Sequence, residues 1–200
     1  VGKFSQGNFI TLVPNDKYEG GKPNISEINI IVSSNLVADA KSGKLDYFTT
    51  NDPDTIRAMG SVSTFKGAPL QVLFYRYFVI NPNTQFSNVK AREALKYGID
   101  WNRLVPAVYP KLGKVINSGV SSGMPHHDAS IPKYKFDKAK AIALLKEAKF
   151  DFSKTVRLRT YNQTQPAVMI LLTAVAQQMT DLGMKVEFLP FQGDATTELW

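Results

Sequence analysis

The 200-residue chain contains no cysteine, which excludes disulfide bonds and thiolate metal sites within it. It has no run near the ~18 consecutive apolar residues that a membrane-spanning helix needs, and Val1 opens no basic-then-apolar signal peptide. The patterns of a phosphate-binding loop, a dinucleotide-binding turn and a zinc-protease helix are also missing. The sequence therefore predicts neither a catalytic site nor a cofactor.

Apolar residues make up 44% of the chain, which is enough for a packed core in one domain or two small ones. The formal net charge of +7 is compatible with nucleic acid, an anionic cell surface or a lysine-rich solvated face. The lysines are spread along the chain, and Lys138, Lys140 and Lys146 lie opposite the apolar stripe of a predicted helix. No nucleic-acid-binding signature accompanies them, so the pattern favours the solvated face.

The first third of the sequence predicts mixed α and β structure. Extended runs before and after a glycine-rich turn indicate a β-hairpin or meander, while Asn35 and Asp52 can act as helix N-caps. The predicted elements are strands at 9–13, 28–32 and 45–49, a short helix from Asn35 to about Gly43, and a helix from Pro53 to Met59.

Residues 70–80, LQVLFYRYFVI, form an aromatic and β-branched run that predicts a buried strand. The two-residue period of a strand places Phe74, Arg76 and Phe78 on one face, with Gln71 near the start. A guanidinium in an otherwise apolar strand needs a carboxylate or several carbonyls to offset its desolvation. That partner is either the carboxylate of a ligand or an internal Asp or Glu.

Residues 86–100, FSNVKAREALKYGID, predict a capped amphipathic helix. Ser87 or Asn88 can cap its start. Its small and apolar positions recur at helical spacing: Ala91, Ala94, Leu95 and Gly98. Asp100 can cap a second helix that stops or kinks near Pro106, because proline lacks the amide proton and crowds the preceding turn. Residues 113–130 are rich in Gly, Ser and Pro and predict a surface loop.

The last third predicts a right-handed βαβ unit over residues 156–191, with parallel strands. Alternation begins at Val156, and a helix from Pro166 follows with a continuous apolar stripe. Gly183 can supply the left-handed residue after the helix. Residues 161–165, YNQTQ, then lie at the carboxyl end of the first strand, where open α/β sheets bind ligands. The alternative is an ordinary polar loop in which Thr164 or Gln165 caps the helix.

The order of these motifs resembles the family 5 extracellular solute-binding proteins, the peptide-binding and nickel-binding receptors of ABC importers. Asn81, Phe86 and the run VKAREALKYGID at 89–100 match the family signature. Three further segments match in the same order: NDKYEGGKP at 15–23, AKSGKLD at 40–46 and YKFDKAKAIALLKEAKF at 134–150. The departures are Glu19 for the usual tryptophan, Lys138 for a common proline, and Lys149 for glycine.

The resemblance implies an α/β chain that is part of a two-lobed, periplasmic-binding-protein-like fold, with mixed sheets flanked by helices. Residues 1–80 are expected to be the later part of the first lobe and residues 81–200 the beginning of the second, so the chain is expected to be an interior fragment. The implied function is not catalysis. It is capture of an extracytoplasmic solute between two lobes, followed by delivery to the permease subunits of an ABC importer.

Oligopeptides are the expected ligands, and receptors for sugars, nickel chelates or haem are alternatives within the family. The expected location is the periplasm, or the cell surface as a lipoprotein, with membrane contact only through an anchor that this chain lacks. A regulatory or nucleic-acid-binding protein with a solute-binding-like sensor region is an alternative from another class, although nucleic acid is not the expected partner.

The resemblance also implies where a ligand lies. In the family, the strand face that corresponds to the one carrying Arg76 is turned towards the cleft. The family residue that matches Asn162 belongs to the cleft wall. The predicted ligand-binding residues are Asn162, Arg76, Phe78, Phe74, Gln71 and Gln163. His126 and His127 are adjacent on a loop, a spacing that seldom chelates a metal unaided, so no metal site is predicted.

Overall fold

A computed structural model describes residues 1–68, 75–160 and 164–189. The elements within these ranges are, in chain order, β1 (Lys3–Ser5), β2 (Phe9–Leu12), β3 (Ile28–Ile31), α1 (Leu36–Lys41), α2 (Pro53–Met59), α3 (Val89–Gly98), α4 (Trp101–Val108), α5 (Lys138–Glu147), β4 (Thr155–Leu158), α6 (Pro166–Asp181) and β5 (Lys185–Phe188). They form two compact units. Unit 1 consists of Val1–Thr50 and Arg57–Phe65, and unit 2 of Asn51–Ile56 and the described residues from Lys66 onward. The predicted α/β class is confirmed.

Unit 1 contains an antiparallel sheet in the order β1-β2-β3. The register aligns Phe4 with Ile10 and Ile10 with Ile30, so these three apolar side chains share one face. On the other face, Thr11 is buried and its hydroxyl donates to Asn29 Oδ1 at 2.7 Å. The predicted meander is confirmed, and β1 is an additional strand that the sequence analysis missed.

The first two helices begin where the capping residues predict. Asn35 Oδ1 accepts from Ala38 N at 3.0 Å at the start of α1, and Asp52 Oδ2 accepts from Thr55 N at 2.9 Å at the start of α2. Gly43, with φ +74°, ends the turn after α1. Both helix predictions are confirmed.

The strand predicted at 45–49 is wrong, because these residues have no regular secondary structure. The ring of Phe48 packs instead on that of Phe65, with centroids 5.5 Å apart. An aromatic residue in an alternating apolar run can thus pack on another ring without any neighbouring strand.

The core of unit 2 is built around an antiparallel pair of helices, α3 and α5. Asp137 N donates to Tyr97 O at 2.9 Å at one end of the pair, and Lys90 Nζ lies 2.7 Å from Glu147 Oε2 at the other. Small residues allow close approach of the helices. The buried members of this core are Phe86, Ala91, Ala94, Ile99, Ala141, Leu145, Phe150, Val156, Val175, Met179, Leu182 and Met184.

The N-caps predicted for α3 and α4 are also present, and Asp137 is a further cap at the start of α5. Asn88 accepts from Lys90 N at 2.9 Å, Asp100 from Arg103 N at 3.1 Å, and Asp137 from Lys140 N at 2.9 Å. Helix α4 continues past Pro106 and ends at Val108, close to the predicted stop. Residues 113–130 contain neither helix nor strand, as the sequence predicts.

The βαβ unit is confirmed where it is described. Strands β4 and β5 pair in parallel, with Val156 opposite Val186, and α6 connects them. Gly183, with φ +94°, follows the helix. Its amide donates to Thr180 O at 2.8 Å, and Met184 N donates to Met179 O at 3.2 Å, which is the Schellman pattern. Residues 190 and 191 of the predicted unit lie outside the described residues.

The buried strand predicted at 70–80 is wrong for its described part. Residues 75–80 are irregular, and Tyr77 and Val79 are 71% and 75% exposed. A strand needs a neighbour for its backbone hydrogen bonds, and within the described residues no strand pairs with this segment. Its aromatic rings pack on other rings, as Phe78 does on Trp101 at 5.4 Å.

No helix in the described part of the chain is both long and apolar enough to cross a bilayer.

Candidate ligand-binding site

The start of α6 forms one wall of a polar pocket in unit 2. The chain leaves β4 at Leu158 and enters α6 at Pro166, so the first turn of the helix follows the carboxyl end of a parallel strand. Gln165 occupies the N-cap position, but its side chain makes no capping hydrogen bond. Its Oε1 accepts from Arg76 Nη2 at 3.1 Å. Gln165 is therefore the N-cap residue by position, as one of the two alternatives predicted, but its side chain does not cap the helix.

Tyr109 forms a second wall of this pocket. It is the C-cap residue of α4, and its amide donates to Val105 O at 2.8 Å. The Cζ atom of Arg76 lies 5.9 Å from the centroid of the Tyr109 ring, which is a cation–π distance. The side chains of Tyr109 and Gln165 thus both contact the Arg76 guanidinium.

The pocket has a volume of about 230 Å³. Its lining residues are Asn51, Asp52, Pro53, Arg76, Tyr109, Thr164, Gln165, Pro166 and Ala167. Across the described ranges, no Asp or Glu forms an ion pair with Arg76. The carboxylate of Asp52 accepts from Thr55 Oγ1 at 2.6 Å as well as from Thr55 N. The pocket therefore offers a guanidinium and a carboxylate together with amide and hydroxyl groups.

The structure brings one predicted ligand-binding residue, Arg76, into this pocket. Phe78 packs on the ring of Trp101, and its role as a ligand contact stays a prediction. Four of the predicted residues lie outside the described part of the chain: Asn162, Gln163, Phe74 and Gln71.

Sequence analysis did not identify Tyr109 or Asp52 as pocket residues. Asp52 was recognised only as a helix cap, which it is. Tyr109 follows a helix that contains a proline, and no local pattern relates it to Arg76, which is distant in sequence. A hydrophobic period can reveal which face of an element is apolar, but it cannot reveal contacts between irregular segments.

The two adjacent histidines lie in the irregular segment 113–130. Nδ1 of His127 lies 2.8 Å from Val120 O, and His126 has φ +65°. No cluster of three or more His, Asp or Glu side chains suited to a metal occurs in the described residues.

The family model described as "Bacterial extracellular solute-binding proteins, family 5 Middle" matches residues 1–199. The chain belongs to this family. The resemblance seen in the sequence motifs is thereby confirmed. Family 5 proteins are solute-binding receptors rather than enzymes, and the family is extracellular by its description.

Curated relatives of this family 5 chain are named as peptide-binding proteins. The oligopeptide-binding protein AppA of Bacillus subtilis is 25% identical over 206 residues, covering 92% of this chain and 37% of the relative. The probable D,D-dipeptide-binding periplasmic protein DdpA of Escherichia coli is 24% identical over 144 residues, covering 70% of this chain and 28% of the relative. The chain thus spans about a third of the length of these relatives.

Solved structures share the fold of this family 5 chain. The ABC transporter substrate-binding protein CtaP of Listeria monocytogenes superposes with a TM-score of 0.79 at 18% identity, covering 98% of this chain and 41% of that one. AppA of Bacillus subtilis, in complex with a nonapeptide, gives a TM-score of 0.71 at 24% identity, with 98% and 42% covered. The expectation that the chain is part of a periplasmic-binding-protein-like fold is confirmed. The division into lobes at residue 80 stays a prediction.

Proposed function

We propose that this chain is part of the extracytoplasmic substrate-binding component of an ABC importer, which captures oligopeptides between two lobes and delivers them to the permease subunits. Membership of the family and the peptide-binding names of the curated relatives support the proposal. The observation that carries it is the pocket in which Arg76 meets the first turn of α6, at the carboxyl end of β4.

The chemistry of the pocket suits the main chain of a peptide. The amides of Asn51 and Gln165 and the hydroxyl of Thr164 each offer both donors and acceptors. A peptide backbone presents the same two kinds of group whatever its side chains are. A site that bonds the backbone can therefore accept many sequences. The predicted contacts of Asn162 and Gln163 belong to the same proposal, because they adjoin Thr164 in the chain.

The proposed location is the periplasm or the cell surface, where a lipid anchor would hold the protein near its permease. The extracellular description of the family supports this location. The proposed partners are a peptide ligand and the permease subunits of the importer.

Thermal unfolding in the presence of candidate ligands tests the proposed function. A ligand that binds only the folded state at 100 times its dissociation constant stabilises that state by about 2.7 kcal/mol. We expect a mixture of short peptides to raise the melting temperature of the 200-residue chain. Cello-oligosaccharides, nickel–histidine and haem are the matched comparisons. A rise with one of these and none with peptides would replace the peptide proposal with that solute.

A further inference from the structure

The hydroxyl of Tyr109 is buried and has no hydrogen-bond partner within the described part of the chain. Buried polar atoms in folded proteins almost always have a partner, because an unsatisfied one destabilises the folded state. Tyr109 also lines the pocket that contains Arg76. The hydroxyl has almost no exposed surface, so a ligand group in this pocket could satisfy it only after a small rotation of the Tyr109 side chain.

Arg76 is exposed, so most of its hydrogen-bond donors are accessible to a ligand. A guanidinium carries five N–H donors, and the contacts of Arg76 within the described residues are one hydrogen bond to the neutral Gln165 amide and the ring of Tyr109. Gln165 could yield its place to a stronger acceptor, because an Arg–carboxylate pair is charge-assisted and often bidentate. The first turn of α6 also lines the pocket, and a helix N-terminus favours negative charge.

We propose that this pocket binds a carboxylate group of the ligand, with Arg76 donating two hydrogen bonds and the Tyr109 hydroxyl donating one. The inference rests on the proposed function in taking the ligand to be a peptide. The carboxylate then belongs either to the peptide carboxyl terminus or to an Asp or Glu side chain. Both sources present the same planar anion to the same donors.

Asp52 sets the charge balance of the same pocket. Its carboxylate lines the pocket while it accepts from Thr55 at the start of α2. A negative charge at this position opposes a second anion. Asparagine is an equally good N-cap residue, so Asp52→Asn removes the opposing charge and keeps the cap. This substitution should tighten carboxylate binding, whereas Arg76→Gln should weaken it.

A titration with a small carboxylate tests the subsite without assuming a peptide. Propionate and its neutral analogue propionamide are added to the isotope-labelled 200-residue chain, and the amide and Arg Nε–H shifts are followed by NMR. We expect propionate to shift the signals of Arg76 and Ala167, and propionamide to leave them unchanged.

Arg76→Gln should weaken propionate binding at least about tenfold, as loss of a charge-assisted pair does. Arg103→Gln, an exposed arginine on α4, is the matched control. Equal responses to the two compounds would overturn the carboxylate proposal.

Tyr109→Phe separates a binding role from a structural one. The substitution keeps the ring beside Arg76 and removes only the hydroxyl. Because that hydroxyl has no described partner, the melting temperature should be unchanged or higher, while propionate affinity falls about fivefold or more. Tyr134→Phe, which removes an exposed tyrosine hydroxyl elsewhere in unit 2, should leave the affinity unchanged. A lower melting temperature with unchanged affinity would assign Tyr109 to stability alone.

A comparison of three peptides identifies the source of the carboxylate. It also tests the carboxylate subsite independently of the proposed peptide-binding function. Trialanine, trialanine amide and an amidated peptide with one central Glu are compared by calorimetry. Preference for the free acid assigns the carboxyl terminus, and preference for the Glu peptide over trialanine amide assigns a side chain. Equal binding of all three, unaffected by Arg76→Gln, would overturn the carboxylate subsite and leave the peptide function standing. Binding of propionate at Arg76 with no binding of any peptide would overturn the peptide function instead.

Discussion

Unit 1 and unit 2 carry similar apolar side chains but use them differently. In unit 1, Phe4 and Ile30 lie on one face of the three-stranded sheet and are 64% and 52% exposed. In unit 2, Leu145 and Val175 have no exposed surface. Burial of apolar surface is the main stabilising contribution to folding. The described part of unit 2 therefore holds a hydrophobic core, whereas the described sheet of unit 1 depends on strand pairing and local hydrogen bonds.

The comparison shows that apolar patterning and burial are separate properties. The register of unit 1 aligns Phe4, Ile10 and Ile30 as well as any core sheet would. That face would be buried only if a second layer of secondary structure packed its own apolar side chains against it. Helices α3 and α5 of unit 2 provide such layers to each other. Substitutions in the two units should therefore differ in their effects on stability, and four experiments measure the difference.

The largest effect is expected from Leu145→Ala in α5. It removes a fully buried side chain from the core and leaves a cavity, so the free energy of unfolding should fall by about 3 kcal/mol. Urea denaturation followed by near-ultraviolet circular dichroism measures this change. Ile10→Ala, in the half-buried middle of the unit 1 sheet, is the matched control and should have a clearly smaller effect. Equal losses would show that the sheet face is covered in solution.

The next effect concerns the residue that follows a helix. Gly43 in unit 1 and Lys149 in unit 2 both have positive φ, +74° and +53°, at the same position of a Schellman turn. Lysine strains this conformation and glycine does not. Lys149→Gly should raise the free energy of unfolding by about 0.5 kcal/mol, and Gly43→Ala should lower it by about 1 kcal/mol.

Thermal unfolding of the two cap variants provides the measurement, and Gly67→Ala, at a glycine outside the left-handed region, is the control. A loss of stability in Lys149→Gly would mean that the lysine side chain contributes more than its backbone strain removes.

A smaller effect is expected from Ile30→Thr on the exposed face of unit 1. Threonine is also β-branched and fits a strand, so the free energy of unfolding should change by no more than about 0.5 kcal/mol. Binding of a hydrophobic dye to the folded chain should fall, because the apolar face becomes smaller. Val175→Thr in α6 makes the same kind of change at a buried position and should be strongly destabilising. Similar losses in both variants would remove the contrast between the units.

The smallest effects come from charges at the surface, and they act at opposite ends of the pH range. In unit 1, the hydrogen bond from Ser33 Oγ, at 2.7 Å, and then Lys44 hold the pKa of Asp39 below its ordinary value. This contribution to stability is present above the unfolded-state pKa, about 3.9, and is lost as pH falls through the lower folded-state value. In unit 2, Glu147 raises the pKa of Lys90, and that contribution is lost as pH rises through the raised value.

Carbon-13 NMR titration of the Asp39 carboxyl measures the first of these effects. Ser33→Ala should move the pKa of Asp39 upward, whereas Ser61→Ala, in the same unit, should not. An unchanged pKa in Ser33→Ala would assign the shift to Lys44 alone.

The local elements of this fold follow from the sequence because their signals are local. Asn35, Asn88 and Asp100 each cap the helix predicted to follow them. The apolar stripe of α6 predicted that helix, and the extended runs before and after it predicted the two parallel strands. Capping and periodicity act over a few residues, so they can be recognised from adjacent residues in the sequence.

The predictions that were wrong concern apolar runs whose partners are distant. Residues 45–49 and 75–80 have strand-like composition, yet neither forms a strand. A run of apolar residues becomes a strand only when another strand supplies its hydrogen bonds, and composition does not state whether one is present.

The candidate site was also predictable only in part. The need of Arg76 for a polar partner could be predicted from its apolar surroundings in the sequence. That the partner is Gln165, with Tyr109 beside it, could not be predicted, because these residues meet only in the folded chain.

The sequence alone determined the class of secondary structure, the capped ends of the helices, the parallel βαβ unit and, through its motifs, the family. The tertiary structure alone decided which apolar faces are buried, that residues 75–80 lie outside any strand, and that Arg76 and Tyr109 line one pocket. The physical reason is the sequence separation of the residues that interact. Capping and periodicity depend on neighbours in the chain, whereas burial and pocket formation depend on contacts between segments that are far apart in sequence.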